Sequence, residues 1–356
     1  MKTIMKTLFV VLTSFALLSS AQAGELSVTG SAKATYTNIG ETQSGKQIGI
    51  ANELLFSASG EMDNGFTWTY SVALDPTTTG STASSVPATE TAAGAAINDD
   101  QSLNIGMPGL GTLGLHVSAG GFNAKYGWSA DAYTVMSDTG KSEGMTYSSD
   151  LGGTSNIQFA TEAGLLPLGA VIQAGYGVAK TDGDSTNASG KAGADTKSAY
   201  GLTLKPIDGL TLGATYTEIS KYEDGTVHSQ DEQTGSYYAK FASGPITVGY
   251  GKGFNAPTNG NVGANGATTV EYYENTGISV GYALNDAVRL SYTDEKGERN
   301  FATSATTSYD IKLKSYQIAY NVGGATLSLV RQDVSNAAYT NNNDWTETLV
   351  AIAMAF

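Results

Sequence analysis

Two histidines, His116 and His228, three arginines and no cysteine are spread over 356 residues. That inventory narrows the chemistry at once. Without cysteine there is no thiolate nucleophile, no disulfide framework and no cysteine-based zinc site. The two histidines make no metal set, and no Ser/His/Asp triad has identifying context. Gly109-Leu110-Gly111-Thr112-Leu113-Gly114 matches G-x-G-x-x-G, but a dinucleotide site needs a helix whose N-terminus meets the pyrophosphate. Here Leu115-His116-Val117 continues an alternating strand, so the glycines read as a hairpin turn. Asn187-Ala188-Ser189 fits a glycosylation sequon and carries no weight alone. An enzyme is not expected, nor a cofactor or bound metal. What remains is a set of charges on a two-residue period with apolar neighbours: Lys33, Glu53, Lys205, Lys240, Arg289, Lys312 and Lys314, with His116 in the same setting.

The elements that must position them alternate almost throughout. Phe66, Trp68, Tyr70, Val72 and Leu74 share one face against Thr67, Thr69 and Ser71. Leu210, Leu212, Ala214 and Tyr216 oppose Thr211, Gly213 and Thr215, and Val288, Leu290 and Tyr292 follow a tight turn at Asn285-Asp286. Such period-2 patterning is the signature of strands. Compact turns at Asp63-Asn64-Gly65, 206–209, Ser243-Gly244-Pro245 and Val322-Gly323-Gly324 use residues that tolerate positive φ or preset it. Long polar stretches separate them at 76–100, 182–195, 222–233, 255–267 and 336–344. One end of the hairpins is tight and the other elaborate.

The one continuous apolar run is N-terminal. Lys2 and Lys6 precede Leu8–Leu18, and Ala21-Gln22-Ala23 follows, which describes a secretory signal peptide cleaved after Ala23. Residues 1–23 are thus read as the signal and 24–356 as one domain. Removing the signal leaves 17 basic and 33 acidic residues, a charge of −16 against −14 for the whole chain. An acidic chain is a poor nucleic-acid binder. Mean hydropathy is −0.14, which rules out a helical membrane protein.

Many alternating runs hold phase for nine or more residues. That suits strands tilted across a bilayer, which need about 9–11 residues, better than sandwich strands of about 5–6. The fold class expected is all-β: a transmembrane antiparallel β-barrel of 16 strands, with 18 as the alternative. Seventeen stretches qualify as strands. Single-chain barrels of this kind have even numbers, so one is surplus, and it lies between Ala119 and Ala170, where alternation is weakest. Val350, Ile352, Met354 and Phe356 form one face of the final stretch. A charged side chain facing lipid at the midplane costs about 2–4 kcal/mol for Arg or Lys. The phased charges are therefore expected to point inward, where opposite signs across a pore select ions. Arg331 breaks the rule, because it follows Leu327 and Leu329 in phase; a bulge or a snorkelling side chain would accommodate it. The acidic excess is expected mainly in loops, as at Asp182, Asp184, Glu223, Asp224, Asp231, Glu232, Asp294, Glu295 and Glu298.

At the level of pattern, essentially the whole mature chain resembles the general porins of Gram-negative bacteria. Gly111-Thr112-Leu113-Gly114-Leu115 resembles the turn and strand before that family's third external loop. Met145-Thr146-Tyr147-Ser148-Ser149 resembles the strand after it, and Phe356 resembles the terminal signal read by the barrel-insertion machinery. The resemblance implies a homotrimer in the outer membrane, surrounded by outer-membrane lipid, whose third loop folds inward and narrows each pore. By position that loop is about 120–140, carrying Lys125, Asp131 and Asp138. The family often has an Arg just after the strand segment, where this chain has His116 and Val117. The function implied is passive diffusion of small hydrophilic solutes and ions. A substrate-selective channel and a surface β-protein acting as an adhesin or binding module are the alternatives.

Overall fold

Each alternating segment pairs antiparallel with its neighbours until the sheet meets itself. The computed structural model describes residues 25–41, 45–74, 98–117, 119–122, 126–134, 143–152, 154–178, 196–220, 228–257, 259–261, 269–303 and 306–356. The signal-peptide segment, Lys125 and Asp138 lie outside the described residues. The strands are β1 (Glu25–Glu41), β2 (Gly45–Glu61), β3 (Thr67–Leu74), β4 (Asn98–Met107), β5 (Gly111–Val117), β6 (Ser155–Thr161), β7 (Val171–Val178), β8 (Thr196–Leu204), β9 (Leu210–Ser220), β10 (His228–Gln230), β11 (Glu232–Ser243), β12 (Ile246–Ala256), β13 (Asn259–Asn261), β14 (Val270–Ala283), β15 (Val288–Phe301), β16 (Ile311–Val322), β17 (Ala325–Ser335) and β18 (Trp345–Ala355). Sixteen of them close a barrel, while β10 and β13 pair as a separate ribbon. The ribbon sits in two of the long connections.

Closure is made by β1 against β18, from Ser31 opposite Ala355 to Glu41 opposite Trp345. Two further bonds extend the seam: Gly30 N–H donates to the Phe356 carbonyl at 2.7 Å, and Phe356 N–H to the Gly30 carbonyl at 2.9 Å. A closed sheet leaves no unpaired edge, which is what a strand-built membrane crossing requires. At the tight end, Asn285 caps the β14–β15 turn by accepting from Ala287 N–H and Val288 N–H, both at 2.9 Å.

The apolar side chains face outward. Leu26, Val28, Ile48, Ile50, Ile172, Tyr200, Tyr282, Ile318 and Ile352 are all exposed on the outer wall. This inverts a soluble protein, whose strands bury that face, and matches a wall meeting lipid.

The surplus strand is the one near residue 146. Residues 143–150 form no strand, and β6 begins only at Ser155. The resemblance of Met145–Ser149 to a barrel strand is thus corrected. The segment runs inside the barrel, where Thr146 N–H reaches the hydroxyl of Tyr339 in the β17–β18 connection at 3.1 Å and Ser149 N–H reaches Thr234 Oγ1 on the wall at 2.9 Å. Asp294, Glu295 and Glu298 also fall on a strand, β15, and Glu232 opens β11, so these four acids do not sit in loops.

Candidate pore constriction

The third connection at the elaborate end of the barrel, between β5 and β6, enters the barrel. Backbone carried into a lumen still needs hydrogen-bond partners. The wall supplies them as side chains on the inward phase of successive strands. Along the first limb, Ala130 N–H donates to Ser279 Oγ on β14 at 3.0 Å and Ala132 N–H to Ser291 Oγ on β15 at 2.8 Å. Gln317 on β16 accepts from Tyr133 N–H at 2.9 Å and donates to the Thr134 carbonyl at 2.8 Å. Lys240 on β11 donates to the Ser129 carbonyl at 3.0 Å. Asp131 accepts from the Thr293 hydroxyl and, at 2.7 Å, from the Ser129 hydroxyl. Burial holds the Asp131 carboxyl above its ordinary range, although these hydrogen bonds and the Lys240 charge pull it down.

The second limb returns nearer the loop end of the barrel. Tyr147 donates to Glu295 Oε2 at 3.0 Å, and Lys197 on β8 donates to the Asp150 carbonyl at 3.0 Å. Burial pushes the Tyr147 phenol well above its ordinary range, and the neighbouring Glu295 and Glu143 push it further. Met145 joins a buried cluster with Ile311, Leu313, Val334, Ala337, Tyr339 and Trp345. The two limbs together line the inner wall from β7 round to β18. The inward positions of β1–β4, by contrast, carry Ser27, Thr29, Ser31, Ser57, Thr69, Ser71, Ser102 and Asn104, with Lys33 and Glu53 among them. These polar side chains stay exposed or half-buried, in contrast to the wall that the loop covers.

The sequence-chosen residues fall into groups. Asp131 lies on the first limb and Lys33 and Lys240 meet it: the Lys33 ammonium lies 5.9 Å from the Tyr133 ring centroid, and Lys240, bonded to the Ser129 carbonyl, is near enough for its charge to act on the Asp131 carboxyl. Glu53 lies on the inward phase opposite Ser31. Arg289 does so opposite Ala283 and Ala319. His116 sits on β5 beside Gly114 and Gly120, at the root of the loop. Lys205 follows β8 in the short turn, where its N–H donates to the Leu168 carbonyl at 2.8 Å. It marks the rim at the tight end.

Lys312 and Lys314 are a correction. They share the outer face of β16 with Tyr316, Ile318 and Tyr320, while Ile311 and Leu313 point inward and are fully buried. The cause is the loop itself. Where it fills the lumen, the inside becomes a hydrophobic core, so the apolar phase turns inward and the charges turn out. Both lysines lie at the loop end of the strand, where an outward charge costs only about 0–1 kcal/mol. Arg331 is outward as well, with no bulge in its register with β16 and β18. Its guanidinium reaches Asp333 at 3.1 Å and Thr348 at 3.2 Å. Snorkelling is therefore the answer at that position.

Among solved structures the chain is similar to OmpF of Salmonella typhi, at TM-score 0.65 and 12% identity, over 95% of this chain and 100% of that one. A loop-deletion mutant of OmpT, an outer membrane protein of Vibrio cholerae, matches at TM-score 0.65 and 12% identity, over 94% and 100%. An anion-selective porin from Comamonas acidovorans matches at 0.62 and 9%, over 94% and 100%. The fold is a porin fold. At these identities the likeness is one of architecture. No family model matches the sequence, and no curated protein does.

Within this porin fold, several residues that hold the constriction were not singled out from sequence: Trp128, Thr234, Ser279, Ser291, Thr293 and Gln317. The polar ones look like ordinary lumen residues until the loop is placed on them. A signal did exist in Gly249-x-Gly251-x-Gly253, because glycine repeated inside a strand marks close approach by another backbone or ligand.

Proposed function

We propose that the chain forms a water-filled channel in the bacterial outer membrane through which small hydrophilic solutes and ions diffuse passively. The observation that carries this reading is the pairing of an apolar outer wall with a hydroxyl-rich bore narrowed by an inward-folded loop. Polar walls lower the barrier for a hydrated solute, while the loop limits size and the lumen charges bias sign. No chemical turnover is involved. The functional unit is a homotrimer inserted into outer-membrane lipid after export; one porin-fold neighbour, Vibrio cholerae OmpT, has been solved in a trimer form.

Purified protein added to a planar lipid bilayer should give stepwise conductance increments. Protein that inserts, with a heat-sensitive gel mobility, yet never conducts would defeat the proposal. Recovery from cells without detergent would favour a secreted β-protein instead.

A further inference from the structure

The inner faces of β12 and β14 carry a bare track. Gly249, Gly251 and Gly253 alternate along one strand, and Gly251 faces Gly277 in the ladder, with Gly281 further along the second. The third loop occupies the space that side chains would fill. A Cβ on Gly249 would lie 1.7 Å from the Trp128 carbonyl oxygen, and one on Gly251 would lie 2.0 Å from Cδ1 of its indole. On Gly277 it would meet indole Cη2 at 2.2 Å, and on Gly281 the Ala130 carbonyl oxygen at 2.7 Å. Trp128 is only 5% exposed. The side chain that interrupts the track, Ser279, stands opposite Gly249 and accepts the Ala130 N–H. Tyr238 fills a neighbouring gap, its ring 2.3 Å from where a Cβ on Gly127 would be and 2.2 Å from one on Gly213.

We propose that Trp128 is the positioning residue of the constriction, its indole seated in the glycine track of β12 and β14 so as to fix how far residues 126–134 reach into the bore. The loop cannot move closer to the wall, because the indole already touches strand backbone. It cannot move away without exposing a large apolar surface. The stand-off of the loop, and with it the size of solute admitted, follows from the thickness of one ring. The inference rests on the channel reading.

The test compares wild type, Trp128→Ala, Trp128→Phe and Gly251→Ala as purified full-length protein in planar bilayers. Single-channel conductance and reversal potential in a KCl gradient are recorded, with heat-shifted gel mobility reporting folding. Trp128→Ala should lose the sharp conductance level and show a broad spread, which Trp128→Phe should partly restore. Gly251→Ala should drive the loop inward and lower the conductance. Folded Trp128→Ala channels with wild-type conductance and reversal potential would overturn the proposal, even if they were less heat-stable. Should that variant fail to fold, an unchanged conductance for Gly251→Ala overturns it equally. A wild-type chain that inserts without conducting defeats the channel reading, whereas a conducting wild type with unaltered variants defeats this inference alone.

Discussion

Asp131 and Thr293 are separated by 162 residues and joined by one hydrogen bond. Thr293 is fully buried, so its hydroxyl has no water to turn to. Thr293→Val should lower stability by about 1–3 kcal/mol, because a buried carboxylate then loses a donor. Thr293→Ser should stay near wild type in urea unfolding of detergent-solubilised protein. The pH dependence has a definite sign. Burial raises the Asp131 pKa when the loop is docked, so docking favours the protonated form. That contribution is complete below the ordinary carboxylate pKa and is lost as pH rises through the raised one. Asp131→Asn should flatten this part of the profile, visible as a smaller change in conductance noise between acid and neutral pH than wild type shows. Asp131 was a candidate through resemblance alone. Its partner was out of reach, since nothing in the sequence around Thr293 distinguishes it from other lumen threonines.

Strands were the most legible part of the chain, because two-residue alternation survives wherever one face meets lipid and the other water. It misled where that contrast reverses. On β16, Ile311 and Leu313 point inward against the loop and Lys312 and Lys314 outward, so polarity predicts the wrong face for that stretch. Ladder register settles the matter and supplies a test. The double variant Lys312→Gln/Lys314→Gln should leave the reversal potential in a KCl gradient unchanged. Lys33→Gln, on the inward face of β1 beside Tyr133, should shift it towards cation preference. Neutralising all three would separate rim from lumen in one set of recordings. Other charges on the outer face pair locally, as Lys296, opposite Lys312, with Glu298 at 2.6 Å and with Asp310 at 3.0 Å, and, further round the barrel, Lys252 with Glu274 at 2.7 Å. Pairs this exposed contribute little stability.

The whole barrel depends on a seam between its first and last strands. A Cβ on Gly30 would lie 2.5 Å from the Phe356 ring, so the ring occupies the space beside β1 that a side chain at position 30 would need. Phe356→Ala should uncover this seam and reduce the heat-resistant folded fraction on unboiled gels, while leaving the conductance of channels that do assemble unchanged. Closure was foreseeable from alternating runs that hold phase for nine or more residues, although the sequence offered seventeen stretches where the barrel uses sixteen strands. The cladding of the inner wall from β7 to β18 by one loop was not, because it depends on contacts such as Gln317 with Thr134, 183 residues apart.

The same seam has a consequence in time. Neighbouring hairpins can form as soon as their two strands exist, but β1 must wait for β18, with every other strand of the sheet between them. Contacts so distant along the chain are slow to form, and until they do both edges remain open to any other strand. A chain built this way needs protection for as long as it takes to reach its membrane. Its most vulnerable moment comes just before the circle shuts.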